Sequence, residues 1–160
     1  AYEIYQCDWS SDVCSSDLDE VCQEYGNVEI LEAEHETRMW EEKGSVISLQ
    51  NFPYRTNPFW NMKHKGNGIY NKVDVILYGQ ETIGSAERSC HVEEMRKNFY
   101  TIEDGKYSAK LFELFGKERV ENELEEFLKH DFFPRFGAGI GMTRMARAME
   151  LQKQSKLELV

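Results

Sequence analysis

The chain has 160 residues, of which 41% are hydrophobic and 30% charged, a composition typical of one soluble globular unit with a modest core. Its formal net charge of −10 opposes broad binding to a nucleic-acid backbone, so any such contact must be local. No stretch approaches the roughly 18 apolar residues of a membrane span, and no secretory leader is recognisable. We therefore expect a cytoplasmic protein without membrane association.

The cysteines and histidines are scattered along the chain. No C-x2-C pair occurs, and no histidine lies at a matching spacing, so we expect no zinc site. These residues are Cys7, Cys14, Cys22, Cys90, His35, His64, His91 and His130.

Residues 7–18, CDWSSDVCSSDL, lack any helical or strand period. A natural flexible arm is one interpretation, because polar arms are common at chain termini. Back-translated, however, residues 8–18 resemble a common sequencing-library adapter, codon by codon. We therefore expect residues 1–18 to be a non-native leader and exclude them from the fold, which leaves residues 19–160.

The first half of the remainder predicts one acidic helical segment and several strands. Residues 19–43 favour helix, with Leu31, Met39 and Trp40 on the apolar face and Gly44 as the stop. Residues 45–51, SVISLQN, alternate like a strand that ends before Pro53. A proline-bracketed turn at 53–58, a glycine turn at 66–68 and a short apolar run at 73–77 follow.

The second half predicts helices at residues 92–99, 107–115, 117–130 and 142–152, with a glycine-rich segment at 133–140. Val120, Leu124, Phe127 and Leu128 recur at the spacing of an amphipathic helix that packs on a core. Strands followed by helices in unequal blocks predict an α+β fold, an antiparallel sheet flanked by helices.

Two carboxylates follow one another around a turn in VDVILYGQETIG. Asp74 lies inside an apolar strand, and Glu81 comes seven residues later, after Gly79. A buried carboxylate needs a partner or a cation, and Mg²⁺ prefers oxygen ligands at about 2.1 Å. The alternative is that Asp74 faces water on a one-sided strand.

Arg88 follows directly in GSAERS. Its planar guanidinium matches a carboxylate with two hydrogen bonds, which suits substrate recognition. The alternative is a surface arginine that pairs with Glu87 or Glu93.

Three glycines precede the last helix in FPRFGAGIGMTRMARAMEL. Gly137, Gly139 and Gly141 leave backbone N–H groups uncovered at a helix start, where phosphate binds, and Arg144 adds charge. The spacing is not that of a dinucleotide-binding fold, and too little chain follows for one. The alternative is that the glycines only allow tight packing.

Taken in this order, these features resemble the catalytic core of class II aminoacyl-tRNA synthetases of the aspartate, asparagine and lysine subclass. The resemblance covers residues 46–151. The glycine segment with Arg144 looks like the third signature motif of that family, and VDVILYGQETIGSAER looks like its metal-binding run. FPYRTNPFW resembles the strand and turn upstream. Joint order and spacing make the resemblance far more specific than any single motif.

The resemblance implies a role for each of these residues. Asp74 and Glu81 bind Mg²⁺ together with ATP. Arg88, which keeps the family spacing after Glu81, contacts the substrate, and Ser85 is the second implied substrate-binding residue. The implied ATP-binding residues are Glu81, Gly137, Gly139, Gly141 and Arg144, and the implied catalytic residues are Arg88 and Arg144.

The chain also departs from the family pattern. Arg135 and Phe136 stand where Pro-His-Gly-Gly usually places histidine and glycine. Thr143 replaces the acid that usually precedes the motif's arginine, and Gly84 occupies the place of a Mg²⁺-contacting serine, with Ser85 next to it. These departures bear on substrate identity more than on ATP binding.

The implied reaction joins the carboxylate of aspartate or asparagine to the α-phosphate of ATP, giving an aminoacyl adenylate and pyrophosphate. We expect a homodimer when the protein is intact, contact with tRNA through regions outside this chain, and no activity from this C-terminal part alone, because the first two family motifs do not precede Asp19. Two alternatives stay open: a paralog that makes asparagine from aspartate, ammonia and ATP, and a non-catalytic module with the same fold.

Overall fold

The computed structural model describes residues 13–157. The strands in this part of the chain are β1 (Val13–Asp17), β2 (Val46–Pro53), β3 (His64–Gly66), β4 (Ile69–Leu77), β5 (Gln80–Arg88) and β6 (Arg135–Ile140). The α-helices are α1 (Leu18–Glu24), α2 (Ala33–Lys43), α3 (Val92–Thr101), α4 (Lys106–Phe115), α5 (Lys117–Leu128) and α6 (Met142–Leu157). Short 3-10 turns occupy Tyr54–Thr56 and Ile102–Gly105. Within residues 13–157, no helix is both long enough and apolar enough to cross a membrane.

The strands form one mixed sheet in the order β1-β2-β4-β5-β6, with β3 paired to β4. β1 runs parallel to β2, and Val13 lies opposite Val46. β4 and β5 are joined by Tyr78 and Gly79, whose positive φ angles of 47° and 73° fit a two-residue hairpin turn. The predicted fold class, a sheet flanked by helices, is confirmed. The parallel pair was not predicted, because β1 lies in the segment excluded as a leader.

That predicted leader falls partly outside the described residues, which begin at residue 13. Its last residue, Leu18, opens α1 and is 3% exposed, in the same core as Val21. The assignment of residues 1–18 as non-native stays a prediction.

The acidic segment at residues 19–43 forms two helices instead of one. Gly26 and Asn27 adopt left-handed conformations, with φ of 97° and 58°, which a continuous right-handed helix does not allow. α2 then begins after Glu32, whose N–H donates to His35 Nδ1 at 2.9 Å. The later predicted helices are confirmed with shifted ends, and the apolar run at 73–77 is the second half of the longer β4.

The described residues group into two compact units. The α/β unit comprises residues 13–50, 74–84 and 139–157, and the helical unit comprises residues 51–73 and 85–138. Strands β2, β4, β5 and β6 contribute residues to both. The two units are described separately below.

In the α/β unit, α2 packs directly on the β4–β5 turn. Met39 and Ile47 are fully buried. Trp40 meets Tyr78 edge-on, with ring centroids 5.6 Å apart. A Cβ on Gly79 would lie 3.0 Å from the Cα of Thr37, so the turn requires glycine for its φ angle and for its close approach to the helix.

The helical unit has its own core, formed mainly by α3 and α5. Its buried members are Met95, Phe99, Val120, Leu124 and Leu128. Trp60 meets Phe99 and Phe127 edge-on, each at 5.6 Å between centroids. The amphipathic face predicted for α5 is therefore confirmed.

Candidate functional site

The two predicted carboxylates converge in the α/β unit. Asp74 on β4 is only 5% exposed, so the alternative that it faces water is wrong. Its Oδ1 lies 3.4 Å from the position that a Cβ on Gly84 would take, and Glu81 Oε1 lies 3.2 Å from the same position. One oxygen of each carboxylate therefore lies close to the same point beside Gly84, where a side chain would crowd both.

Arg144 is the third predicted residue of this group. It lies in the first turn of α6, and its Nη1 donates a 2.6 Å hydrogen bond to the backbone carbonyl of Glu81. The strand before α6 is fixed to β5, because the N–H of Gly141 donates to the carbonyl of Thr82 at 2.8 Å. Arg144 is thus held at the backbone of Glu81, the residue that carries one of the two carboxylates.

Glu36 completes the arrangement and was missed in the sequence. Its Oε2 accepts the backbone N–H of Glu81 at 2.8 Å. Burial is the main cause that raises the pKa of Glu36, and the negative charge of Glu81 raises it further. The hydrogen bond from the Glu81 N–H and the positive charge of Arg144 partly offset this increase. The available signal was its spacing: Glu36 precedes Trp40 by four residues and so lies on the apolar face of α2.

The three predicted glycines have different surroundings. Gly139 has no atom within 4 Å of a built Cβ, so close packing does not explain it. Gly141, by contrast, packs against the side chain of Arg144 at 3.4 Å. In the helical unit, a Cβ on Gly137 would lie 2.8 Å from Arg88 Nε, so tight packing explains that glycine.

Arg88 is partly buried in the helical unit. Its Nη1 donates to Asn61 Oδ1 at 3.2 Å. Burial lowers the pKa of Arg88, and the positive charge of Arg135 lowers it further.

The alternative that Arg88 pairs with Glu87 or Glu93 is wrong, because those carboxylates have other partners. Glu87 accepts from Lys63 at 2.6 Å and from Asn71 at 2.7 Å. Glu93 pairs with Arg96. Ser85 donates its hydroxyl to the carbonyl of Val73 at 2.9 Å, and its contact with substrate stays a prediction.

The candidate residues fall into two groups, one in each unit. Asp74, Glu81, Arg144 and Gly141 come together in the α/β unit, and Arg88, Ser85 and Gly137 lie in the helical unit. Among residues 13–157, no group of three or more His, Cys, Asp and Glu side chains has the arrangement of a metal cage. Two carboxylates nevertheless suit Mg²⁺ bound with a nucleotide, which usually takes one or two carboxylates and completes its shell with water and phosphate oxygens.

Known proteins are similar to this chain in sequence and in fold. A protein-family model described as tRNA synthetases class II (D, K and N) matches residues 16–156. A probable cytoplasmic aspartate–tRNA ligase of Encephalitozoon cuniculi is 28% identical over 103 residues, which cover 64% of this chain and 19% of that protein.

Solved structures agree with the family match at the level of the fold. An aspartyl-tRNA synthetase from Entamoeba histolytica matches with a TM-score of 0.61 and 19% identity over 84% of this chain and 28% of that one. An asparaginyl-tRNA synthetase from Pyrococcus horikoshii, complexed with asparaginyl-adenylate, matches with a TM-score of 0.62 and 22% identity over 83% and 30%. The chain thus spans less than a third of each of these relatives. Because the family model covers most of its length, the chain belongs to the class II tRNA synthetases of the D, K and N type.

Proposed function

We propose that this chain is part of the catalytic core of an aspartate- or asparagine-activating tRNA ligase. The observation that carries the proposal is the arrangement around Gly84 and Glu81: an oxygen of each of two carboxylates lies close to one point beside Gly84, and the backbone carbonyl of Glu81 accepts a hydrogen bond from Arg144. Carboxylate oxygens beside an arginine are the groups that bind Mg²⁺ and ATP phosphates.

Asp74 and Glu81 would hold the magnesium ion, whose positive charge, when bound, offsets the charge of the phosphate oxygens. Gly84 fits this role because a Cβ there would lie 3.2 Å from Glu81 Oε1 and 3.4 Å from Asp74 Oδ1 and would crowd both carboxylates. Arg144 uses one N–H donor on Glu81, and a guanidinium carries five, so donors are left for a phosphate.

Arg88 would bind the side chain of the amino acid. Among residues 13–157, it makes no ion pair with a carboxylate, and its hydrogen bond to Asn61 holds the guanidinium in one direction. In the reaction, a carboxylate oxygen of the amino acid bonds to the α-phosphorus of ATP. The bond from that phosphorus to the bridging oxygen breaks, and pyrophosphate leaves with the electron pair. These residues contribute positioning and charge stabilisation.

The proposal is tested by pyrophosphate exchange on the full-length protein, with aspartate and with asparagine. We expect exchange in the wild type and a loss of about 100-fold or more in Asp74→Asn and Arg88→Ala, because the first removes a charge proposed to hold the magnesium ion and the second a charge proposed to bind the amino acid. Arg96→Ala is the control, since Arg96 pairs with Glu93 and Glu125 on the helical unit's surface. A folded wild type that exchanges with neither amino acid would refute the adenylate mechanism.

A further inference from the structure

A second arginine lies on the same side of β6 as Arg88. The guanidinium of Arg88 lies against Gly137, where a built Cβ would be 2.8 Å from Nε and 2.9 Å from Nη2. A side chain at position 137 would therefore point at Arg88. Residues two apart on a strand face the same side, so Arg135 also leaves β6 on this side.

Arg135 reaches the backbone next to Arg88, because its Nη1 contacts the carbonyl of Ser89, and its positive charge helps to lower the pKa of Arg88. Their hydrogen bonds go to neutral oxygens. Arg135 Nη1 contacts the carbonyls of Ser89 at 3.4 Å and Phe133 at 3.3 Å, and Arg88 contacts the amide of Asn61. In the part of the chain that the structure describes, neither arginine makes an ion pair. Two neighbouring cations without an anion are unfavourable, and a bound anion relieves this.

We propose that Arg135 acts with Arg88 as a specificity-determining pair that selects an amino acid with an anionic side chain, aspartate, over asparagine. This inference rests on the proposed function, in which Arg88 meets the substrate side chain. The carboxylate of aspartate has only acceptors and a negative charge, which suit two guanidiniums. The amide of asparagine has no charge, and its NH₂ group would face the N–H donors of one arginine without an acceptor.

The alternative role of Arg135 is structural. Its guanidinium lies 4.7 Å from the centre of the Phe132 ring and contacts two carbonyls, which together fix the segment before β6. A purely structural role predicts equal losses for both amino acids when Arg135 is replaced. A role in specificity predicts a loss for aspartate only.

The test compares Arg135→Gln, which removes the charge but keeps N–H donors for the carbonyls, with Arg135→Lys, which keeps the charge. For the full-length protein, we measure kcat/KM of pyrophosphate exchange with each amino acid. We expect the wild type to prefer aspartate. Arg135→Gln lowers kcat/KM for aspartate by about 10- to 100-fold and changes the value for asparagine by less than about threefold. Arg135→Lys retains most of the preference, and Arg96→Gln serves as the surface control.

Calorimetric titration of the same proteins with aspartate and asparagine separates the two proposals. If the wild type binds aspartate preferentially and Arg135→Gln loses this preference, the selectivity of the pair is supported even when no exchange occurs. The absence of exchange then refutes only the adenylate reaction. A wild type that prefers asparagine, or equal losses for both amino acids in Arg135→Gln, overturns the inference about Arg135. Exchange activity in those cases leaves the proposed function in place.

Discussion

Gly84 is the residue that lies beside the carboxylates of Asp74 and Glu81. Its φ is not in the left-handed region, so alanine suits the backbone there, but the new methyl would lie 3.2 and 3.4 Å from the two carboxylate oxygens. We expect Gly84→Ala to cost about 1–3 kcal/mol of stability through crowding and to weaken Mn²⁺ binding in the presence of ATP. Urea denaturation and Mn²⁺ electron paramagnetic resonance measure the two effects. Gly139→Ala is the control for stability only, since nothing lies within 4 Å of its built Cβ.

Glu36 fixes the backbone of Glu81, and its effect is measurable at a single amide. Glu36→Ala removes the acceptor for the Glu81 N–H, whereas Glu36→Gln keeps an oxygen in the same place. We expect hydrogen exchange of the Glu81 amide, followed by NMR, to be about tenfold faster in Glu36→Ala and nearly unchanged in Glu36→Gln. Equal exchange in all three proteins would contradict the hydrogen bond.

The same residue gives stability a dependence on pH. The pKa of Glu36 is higher in the folded state than its ordinary value of 4.5, so protons bind the folded state more tightly. The stability contributed by this group is present below pH 4.5 and is lost as the pH rises through the raised pKa. Glu36→Gln lacks this loss, so its stability relative to the wild type should increase as the pH rises through that range. Urea midpoints at a series of pH values measure the difference.

At the level of elements, the sequence predicted regular segments well and their interruptions poorly. The face of α5 followed from the spacing of Val120, Leu124 and Leu128, because burial of one helix side imposes that period. The break between α1 and α2 depends on left-handed conformations at Gly26 and Asn27, which composition permits but does not require. The pairing of β1 with β2 depends on residues more than 30 positions apart, and no local pattern encodes it.

Trp60 lies between α3 and α5 and gives the packing of the helical unit a direct test. Its ring meets Phe99 and Phe127 edge-on. We expect Trp60→Ala to destabilise the unit by about 3–5 kcal/mol, because the cavity left behind would not be refilled by these rings. Phe133→Ala is the matched control, since Phe133 is 69% exposed, and should stay within about 0.5 kcal/mol of the wild type. Urea denaturation followed by far-ultraviolet circular dichroism compares the two.

At the scale of the whole molecule, the candidate site residues could be proposed from the sequence, whereas their hydrogen-bond partners could not. Asp74, Glu81, Arg88 and Arg144 were proposed from their order and spacing along the chain, which resemble those of the family. Glu36 and Asn61 were not, because each acts on a residue at least 27 positions away through one hydrogen bond. The sequence thus predicted which groups carry charge, and the fold determines which backbone and side-chain atoms orient them.

Strand β6 ends the sheet order, and among residues 13–157 no strand pairs with its outer side. Phe136, Ala138, Gly139 and Ile140 are exposed there, so the strand is open along its edge and over much of its faces. A free strand of this kind presents a row of N–H and C=O groups to any other extended chain, including a second copy of itself. When the 160-residue chain is produced by itself, we expect it to aggregate through β6. Ile140→Lys, or co-expression with a segment that pairs with β6, should increase its solubility.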